Sequence, residues 1–351
     1  MSIGKSQIAE IAESFAHSAA YEFRGSSALY EKLSTGIGAD PELLGLASHA
    51  ISKPVPMIFL AAIHYLLLND AYHPLAAYYR DINPDPCSAG VDLYPVFRDF
   101  CLRHRADIKD IITTRHVQTN EVRRCACLLP AFGVVALDAG EAPFTLVEIG
   151  ASAGLNLLWD HYGYGYGNGR FYGNRTSTVK LTCDLRGNLL PPFPETFPRV
   201  ASRLGIDLHP IDVRDESEAC WLRSFIWPEH TARFDLLQRA IGVARDNPPE
   251  LQGGDAFDLL PDVLSAAPPD TVLCLFHTFV SNQMSPEMRS DFADIIADYG
   301  AKRDIYCISI DLMGKYPKLQ LISYKDGVGS HRRLADCSGH SRWIEWFDKE
   351  V

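Results

Sequence analysis

Apolar residues near the start of the chain recur at helical spacing, with Ile8, Ile11, Ala12, Phe15 and Ala19 on one stripe. Residues 55–68, opened by Pro54 and Pro56, form a nearly continuous apolar helical segment around His64. Tyr94, Phe97, Phe100, Cys101 and Leu102 make a further apolar face. Residues 117–137 read as one helix. Thr119 or Asn120 suits its N-cap, and Glu121 falls in the first turn, where the helix dipole favours an acid. Pro130 is expected to kink or end that helix. No strand is expected before residue 144.

The period then changes. Phe144-Thr-Leu-Val-Glu-Ile149 is rich in β-formers, Gly150 follows at once, and residues 155–160 resume a helical pattern. Later strands are expected at 206–208, 250–252, 271–276 and 305–310, with helices at about 229–245 and 286–299. Such alternation predicts a parallel sheet covered on both faces. Residues 318–324 and 332–346, around Asp326-Gly327, read as a final antiparallel pair. The Gly-, Tyr- and Pro-rich stretch 161–199 breaks the alternation. It contains Tyr162-Gly-Tyr-Gly-Tyr-Gly167, and it reads as an inserted hairpin or lid in preference to a linker.

Composition narrows the function classes. The chain has 351 residues, 47% of them hydrophobic, and a net charge of −11. The acidic balance argues against a general nucleic-acid or anionic-membrane binder, which needs a basic footprint. The longest apolar run is shorter than the ~20 residues that span a bilayer. The acid-bearing N-terminal segment does not read as a signal peptide. Nine cysteines without a framework fit buried thiols in a reducing, cytoplasmic compartment. No H-x-x-x-H or H-E-x-x-H arrangement is present, so no metal is inferred.

The strongest local signal is Val147-Glu-Ile-Gly-Ala-Ser-Ala-Gly-Leu-Asn156. A strand ends in an acid, a turn of small residues follows, and a helical pattern begins. Gly150 and Gly154 let backbone approach a ligand, and a helix start behind them would offer N–H groups. The spacing G-x-x-x-G differs from the dinucleotide fingerprint. The same residues also match G-x-S-x-G, with Ser152 as the nucleophile of a serine hydrolase and His277 or His340 as its base. Downstream, Gly205-Ile-Asp-Leu-His-Pro210 places Asp207 at a strand end, and Gln252-Gly-Gly-Asp-Ala256 does the same for Asp255. His277 ends a buried strand, at the edge where open α/β sheets bind ligands.

E-x-G-x-S-x-G over Glu148–Gly154 resembles motif I of the class I S-adenosylmethionine-dependent methyltransferases, with Ser152 where a third glycine is usual. Gln118-Thr-Asn-Glu-Val122 with Arg124, the 147–156 run and the 205–212 run also resemble a bacterial family known only as a domain of unknown function, grouped with methyltransferase-like Rossmann folds. The resemblance implies an α/β unit over 141–351 with a Rossmann-like, methyltransferase-type sheet of seven strands, parallel with an antiparallel C-terminal strand. An N-terminal helical domain over 1–140 would precede it. It implies S-adenosylmethionine as cofactor and a small molecule as methyl acceptor. Glu148, Gly150, Ser152, Gly154 and Asn156 would hold the methionine end, Asp207 the ribose, and Asp255 with Ala256 the adenine. Asn120, Glu121 and His277 are the candidates for the acceptor side. A serine hydrolase and a ligand-binding protein without turnover remain as alternatives.

Overall fold

The computed structural model describes residues 5–87, 93–194 and 196–348. Residues 1–4, at the head of the first amphipathic segment, and Glu195, inside the Tyr/Gly-rich stretch, lie outside the described residues, as do 88–92 and 349–351.

The first helices are α1 (Lys5–His17), α2 (Ala28–Gly38), α3 (Pro41–Ala47), α4 (Val55–Asn69), α5 (Leu93–Arg103) and α6 (Arg105–Thr114). They are followed by α7 (Cys125–Ala139), α8 (Glu216–Ser224), α9 (Thr231–Asp246), α10 (Ala256–Ala266) and α11 (Pro286–Gly300). The strands begin with β1 (Phe144–Ile149), β2 (Gly163–Gly165), β3 (Phe171–Gly173), β4 (Lys180–Thr182), β5 (Asp184–Arg186) and β6 (Val200–Asp207). They continue with β7 (Glu250–Gly253), β8 (Val272–Thr278), β9 (Ile305–Met313), β10 (Tyr316–Lys325), β11 (Val328–Cys337) and β12 (Trp343–Trp346). Among the described residues no strand precedes β1.

The chain forms two compact units: Met1–Thr119 with Arg214–Gln238, and Asn120–Val213 with Arg239–Val351. The first is helical. Ser27 caps α2, Asp40 caps α3, and Pro41 occupies the first turn of α3, where a missing N–H costs nothing. α4 is apolar on nearly every side and is buried accordingly. Its His64 is a core residue, bonded at 2.7 Å to Asp81 and at 3.0 Å to the Ser224 carbonyl.

The second unit is built on a nine-stranded sheet, ordered β5-β12-β11-β10-β9-β8-β1-β6-β7. From β7 to β9 every pair is parallel. β10, β11 and β12 then follow one another as an antiparallel meander, and β5 pairs in parallel with β12 at the edge, so the sheet has nine strands where seven were expected. The chain runs outward from β1 through β6 to β7, then returns to β8 on the other side of β1. That reversal is a topological switch point, and the crevice at the carboxyl ends of β1 and β8 is where such sheets bind ligands. Val147, Ile149, Leu273, Leu275, Ile305 and Cys307 pack with Leu260, Leu264, Phe292 and Ile296 to make the core beneath α10 and α11.

The local structure departs from the sequence pattern at 117–121 and at 155–161, and Pro130 does not end its helix. Residues 115–121 are not helical, and a 3-10 turn over Val122–Arg124 leads into α7. Pro130 lies inside α7 without ending it. Its ring removes the N–H that would bond the Ala126 carbonyl, and the Tyr166 hydroxyl donates to that carbonyl instead, at 2.6 Å. The segment after the glycine turn, Leu155–His161, consists of 3-10 turns that meet at a kink at Leu158, and not of an α-helix.

The 161–199 stretch is neither a linker nor a simple hairpin. β2, β3 and β4 form a small sheet ordered β3-β2-β4, and β5 joins the edge of the main sheet beside β12. The alternation of tyrosine with glycine has a packing cause. Tyr162, Tyr164 and Tyr166 are fully buried, with hydroxyls bonded to the carbonyls of Leu155, Trp159 and Ala126. Their rings are struts of the core.

Candidate functional site

β1 ends at Ile149, and the chain turns through Gly150 and Gly154, both at φ +68°. The left-handed region excludes most side chains. Neighbours of the protein itself also fill the space: a Cβ at Gly150 would lie 2.5 Å from Val280 Cγ2, and one at Gly154 2.7 Å from Pro249 Cγ. Ser152 adopts the same region at φ +52°. The turn is therefore a tight internal junction.

Its amides are already engaged. Gly150 N and Ala151 N donate to the Ile206 carbonyl at 2.8 and 3.2 Å. Ser152 N donates to Asp207 Oδ2 at 2.8 Å, and Gly154 N to the Ala151 carbonyl at 2.8 Å. Leu155 N donates to Asn120 Oδ1 at 3.0 Å. These five amides are therefore not open to a phosphate, as the amides of a free helix start would be.

What the turn leaves over is side-chain oxygen. Glu148 is 1% exposed and Asn156 Nδ2 donates to its Oε1 at 3.1 Å. The Cys125 thiol donates to Asn156 Oδ1 at 3.3 Å, which fixes the orientation of that amide. Glu148 Oε2 is buried without a hydrogen-bond partner, and so is Ser152 Oγ. Burial pushes the Glu148 carboxyl up to about 8; the Asn156 amide and the Arg124 charge pull it down, and Asp207 adds to the rise.

Asp207, at the end of β6, braces the turn. Its second oxygen accepts from His209 N at 2.9 Å. Glu121 is buried and accepts from Arg123 N at 3.3 Å, at the head of the 3-10 turn. Asp255 is exposed and caps α10 through Phe257 N at 2.9 Å, with the half-buried Ala256 opening that helix. These two lie at the end of β7, which is separated from β1 by β6.

His277 is on the other face of the sheet. Glu148 pairs in register with Phe276, whose ring meets Phe132 of α7. His277 pairs with Ile149 and meets Phe292 of α11 at 5.8 Å. Its Nδ1 lies 3.6 Å from Asp311 Oδ2, and Nδ1 and Asp311 Oδ1 are both buried without a hydrogen bond. Burial lowers the His277 pKa and the Asp311 carboxylate opposes that shift. Beside it, Phe279 is held at φ +62°, with the Arg124 guanidinium 4.5 Å above its ring and Arg124 Nη1 donating to Thr278 Oγ1 at 3.0 Å.

The hydrogen bonds thus tie Asn120, the 150–155 turn and Asp207 into one network, and Glu148 with Asn156 into a buried pair next to it. They leave His277 with Asp311 on the opposite face. Among the described residues no three His, Cys, Asp or Glu side chains are grouped to hold a metal ion, and no helix is long and apolar enough to cross a membrane.

The model of a bacterial family described as "Uncharacterized protein conserved in bacteria (DUF2332)" matches residues 12–346. The chain belongs to the DUF2332 family. No curated protein and no solved structure matches it.

In this DUF2332 member the sequence pattern did not reveal Asp311, Thr278 or Phe279. Asp311 follows the apolar run 305–310, so an acid at a strand's carboxyl end was the available signal. Phe279 carries no signal at all, because a bulky residue at positive φ is an exception that only coordinates reveal.

Proposed function

We propose that the second unit of this chain binds S-adenosylmethionine at the carboxyl edge of its sheet and transfers the methyl group to a small-molecule acceptor. One observation carries the reading. The turn after β1 engages five amides internally yet leaves a buried carboxylate oxygen, Glu148 Oε2, without a donor. That combination suits a ligand with a cationic nitrogen and no phosphate. S-adenosylmethionine fits both conditions, whereas a dinucleotide does not. The switch-point order and the acids ending β1, β6 and following β7 support the same reading.

On this reading Glu148, fixed by Asn156, accepts from the ligand's amino group, and Gly150, Ser152 and Gly154 shape the wall beside it. Asp207 has lone pairs left for a ribose diol. Asp255 and Ala256 flank the adenine. The bound cofactor supplies an electrophilic methyl group. The chain's contribution is to hold the acceptor in line and exclude water. Asn120, Glu121 and His277 are assigned to the acceptor side. The hydrolase alternative has less support, since Ser152 Oγ has no hydrogen-bond partner to act as base.

The test is calorimetry and thermal unfolding with S-adenosylhomocysteine. Binding is expected, with a rise in melting temperature by mass action, and Glu148→Gln is expected to weaken it. Millimolar ligand that gives neither heat nor a thermal shift overturns the proposal. Binding without methyl transfer to any compound in a bacterial extract would favour a ligand-binding protein, and labelling of Ser152 by a fluorophosphonate would favour the hydrolase.

A further inference from the structure

β8 and β9 end side by side; on the α11 face β8 carries the buried His277, and β9 carries the buried Cys307 and Asp311, burial and the Asp311 carboxylate pushing the Cys307 thiol up. In register, His277 pairs with Ile149 on one side and with Ser309 on the other, and Asp311 stands two residues beyond Ser309 on the same face. From α11 the neighbour is the uncharged ring of Phe292. Asp311 is the charged group that acts on His277. Both side chains are about 5% exposed.

A pair serving structure alone would close its hydrogen bond, because a buried polar atom left unmade costs free energy. This pair does not. Nδ1 and Oδ2 stand 3.6 Å apart, and Nδ1 and Oδ1 both lack partners. Catalytic hydrogen bonds are commonly long in the unliganded protein and tighten around the reacting complex. The place also fits, at the carboxyl edge next to the switch point, with the strained Phe279 two residues on.

We propose that Asp311 is the positioning residue of His277, holding the imidazole proton on Nδ1 so that Nε2 is the atom that takes a proton from the acceptor. The proposal rests on the transfer reading above and gives the acceptor a class: a compound whose reacting atom is an O–H or N–H that must be deprotonated. In the step, the acceptor's O–H or N–H bond breaks and its proton passes to Nε2. The electron pair stays on the acceptor atom as the nucleophile. His277 becomes an imidazolium, and the Asp311 carboxylate balances the new charge.

The experiment is nitrogen NMR of the histidine rings in the full-length protein, comparing wild type with Asp311→Asn and assigning the signal by its loss in His277→Gln. The expected wild-type result is a neutral ring protonated on Nδ1, titrating below an ordinary histidine. Asp311→Asn should lower that midpoint further, because the carboxylate that favours the imidazolium is gone. With labelled S-adenosylmethionine and a bacterial extract, His277→Gln should cut transfer by about 10²–10⁴-fold. Asp311→Asn should lower kcat with little change in KM and move the acid limb of the pH profile downward. A ring protonated on Nε2, or a His277 titration indifferent to Asp311→Asn, overturns the proposal. Failure of S-adenosylhomocysteine to bind overturns the transfer reading and the acceptor class, and leaves the positioning of His277 to be decided by the titration alone.

Discussion

The side-chain oxygen of Asn120 accepts the Leu155 amide at 3.0 Å, across 35 residues of chain. This bond joins the segment before α7 to the turn after β1, and both ends are buried. Asn120 thus acts as a remote cap for the 3-10 stretch, in place of the local cap that Gly154 cannot supply.

Asn120→Ala should leave the Leu155 amide buried and unpaired, at a cost of about 1–3 kcal/mol. The denaturant midpoint should fall with the slope unchanged. Asn120→Asp, which keeps an acceptor in place, should recover part of the loss. A midpoint equal to wild type for the alanine variant would show that water or a rearranged turn takes over the bond.

Glu148 predicts a pH dependence of stability. Its folded value is about 8, above the ordinary 4.5 at which it titrates when the chain unfolds. Between those values the folded protein holds a proton that the unfolded chain releases. Stability from this group therefore falls as pH rises through that window and levels off above it. Each tenfold difference in proton affinity between the two states corresponds to ~1.4 kcal/mol, which makes the effect on the order of a few kcal/mol. Glu148→Gln should remove the slope, so urea melts of the two proteins should converge toward pH 5 and diverge toward pH 8. Parallel pH profiles would refute it.

The same carboxyl links binding to protons. A cationic nitrogen seated on Glu148 favours the carboxylate, so binding at pH 7 should release up to one proton. Calorimetry with S-adenosylhomocysteine in buffers of different ionisation enthalpy should show heats that differ by that amount, and affinity should rise between pH 7 and pH 8. Buffer-independent heats would separate Glu148 from the ligand's charge.

Pro130 and Tyr166 should be energetically coupled. Tyr166→Phe leaves the Ala126 carbonyl without its donor, at about 1–3 kcal/mol. In a Pro130→Ala background the restored helical N–H can bond that carbonyl, so Tyr166→Phe should cost less. A double-mutant cycle measures the difference, and strict additivity would sink the account.

Gly150→Ala should destabilise the protein with or without ligand, because φ is +68° and the new Cβ would meet Val280 Cγ2 at 2.5 Å. Strain of this kind costs on the order of 1–3 kcal/mol. Val280→Ala should relieve the contact but not the backbone part, so the double variant should recover partially in thermal melts. Full recovery, or none, would assign the glycine to only one of the two causes.

Locally encoded features could be read straight from the chain. β1 was legible because Phe144–Ile149 is rich in β-formers and is followed at once by glycine, and α11 because a helical pattern over 286–299 lies between two strand patterns. The turn at 150–154 and the acids at 148 and 207 were legible for the same reason, since turn chemistry and strand ends leave short-range signals. What depends on pairing between distant segments emerged only with the fold. Glu148 and His277 both stand at carboxyl ends, yet register puts Glu148 beside Phe276 and His277 beside Ile149, and one residue of offset assigns them to opposite faces. The engagement of the turn amides by Ile206, Asp207 and Asn120 and the burial of the three tyrosines likewise depend on partners that no local period records. Local propensity acts over a few residues, whereas burial and hydrogen-bond satisfaction are settled only when the whole sheet closes.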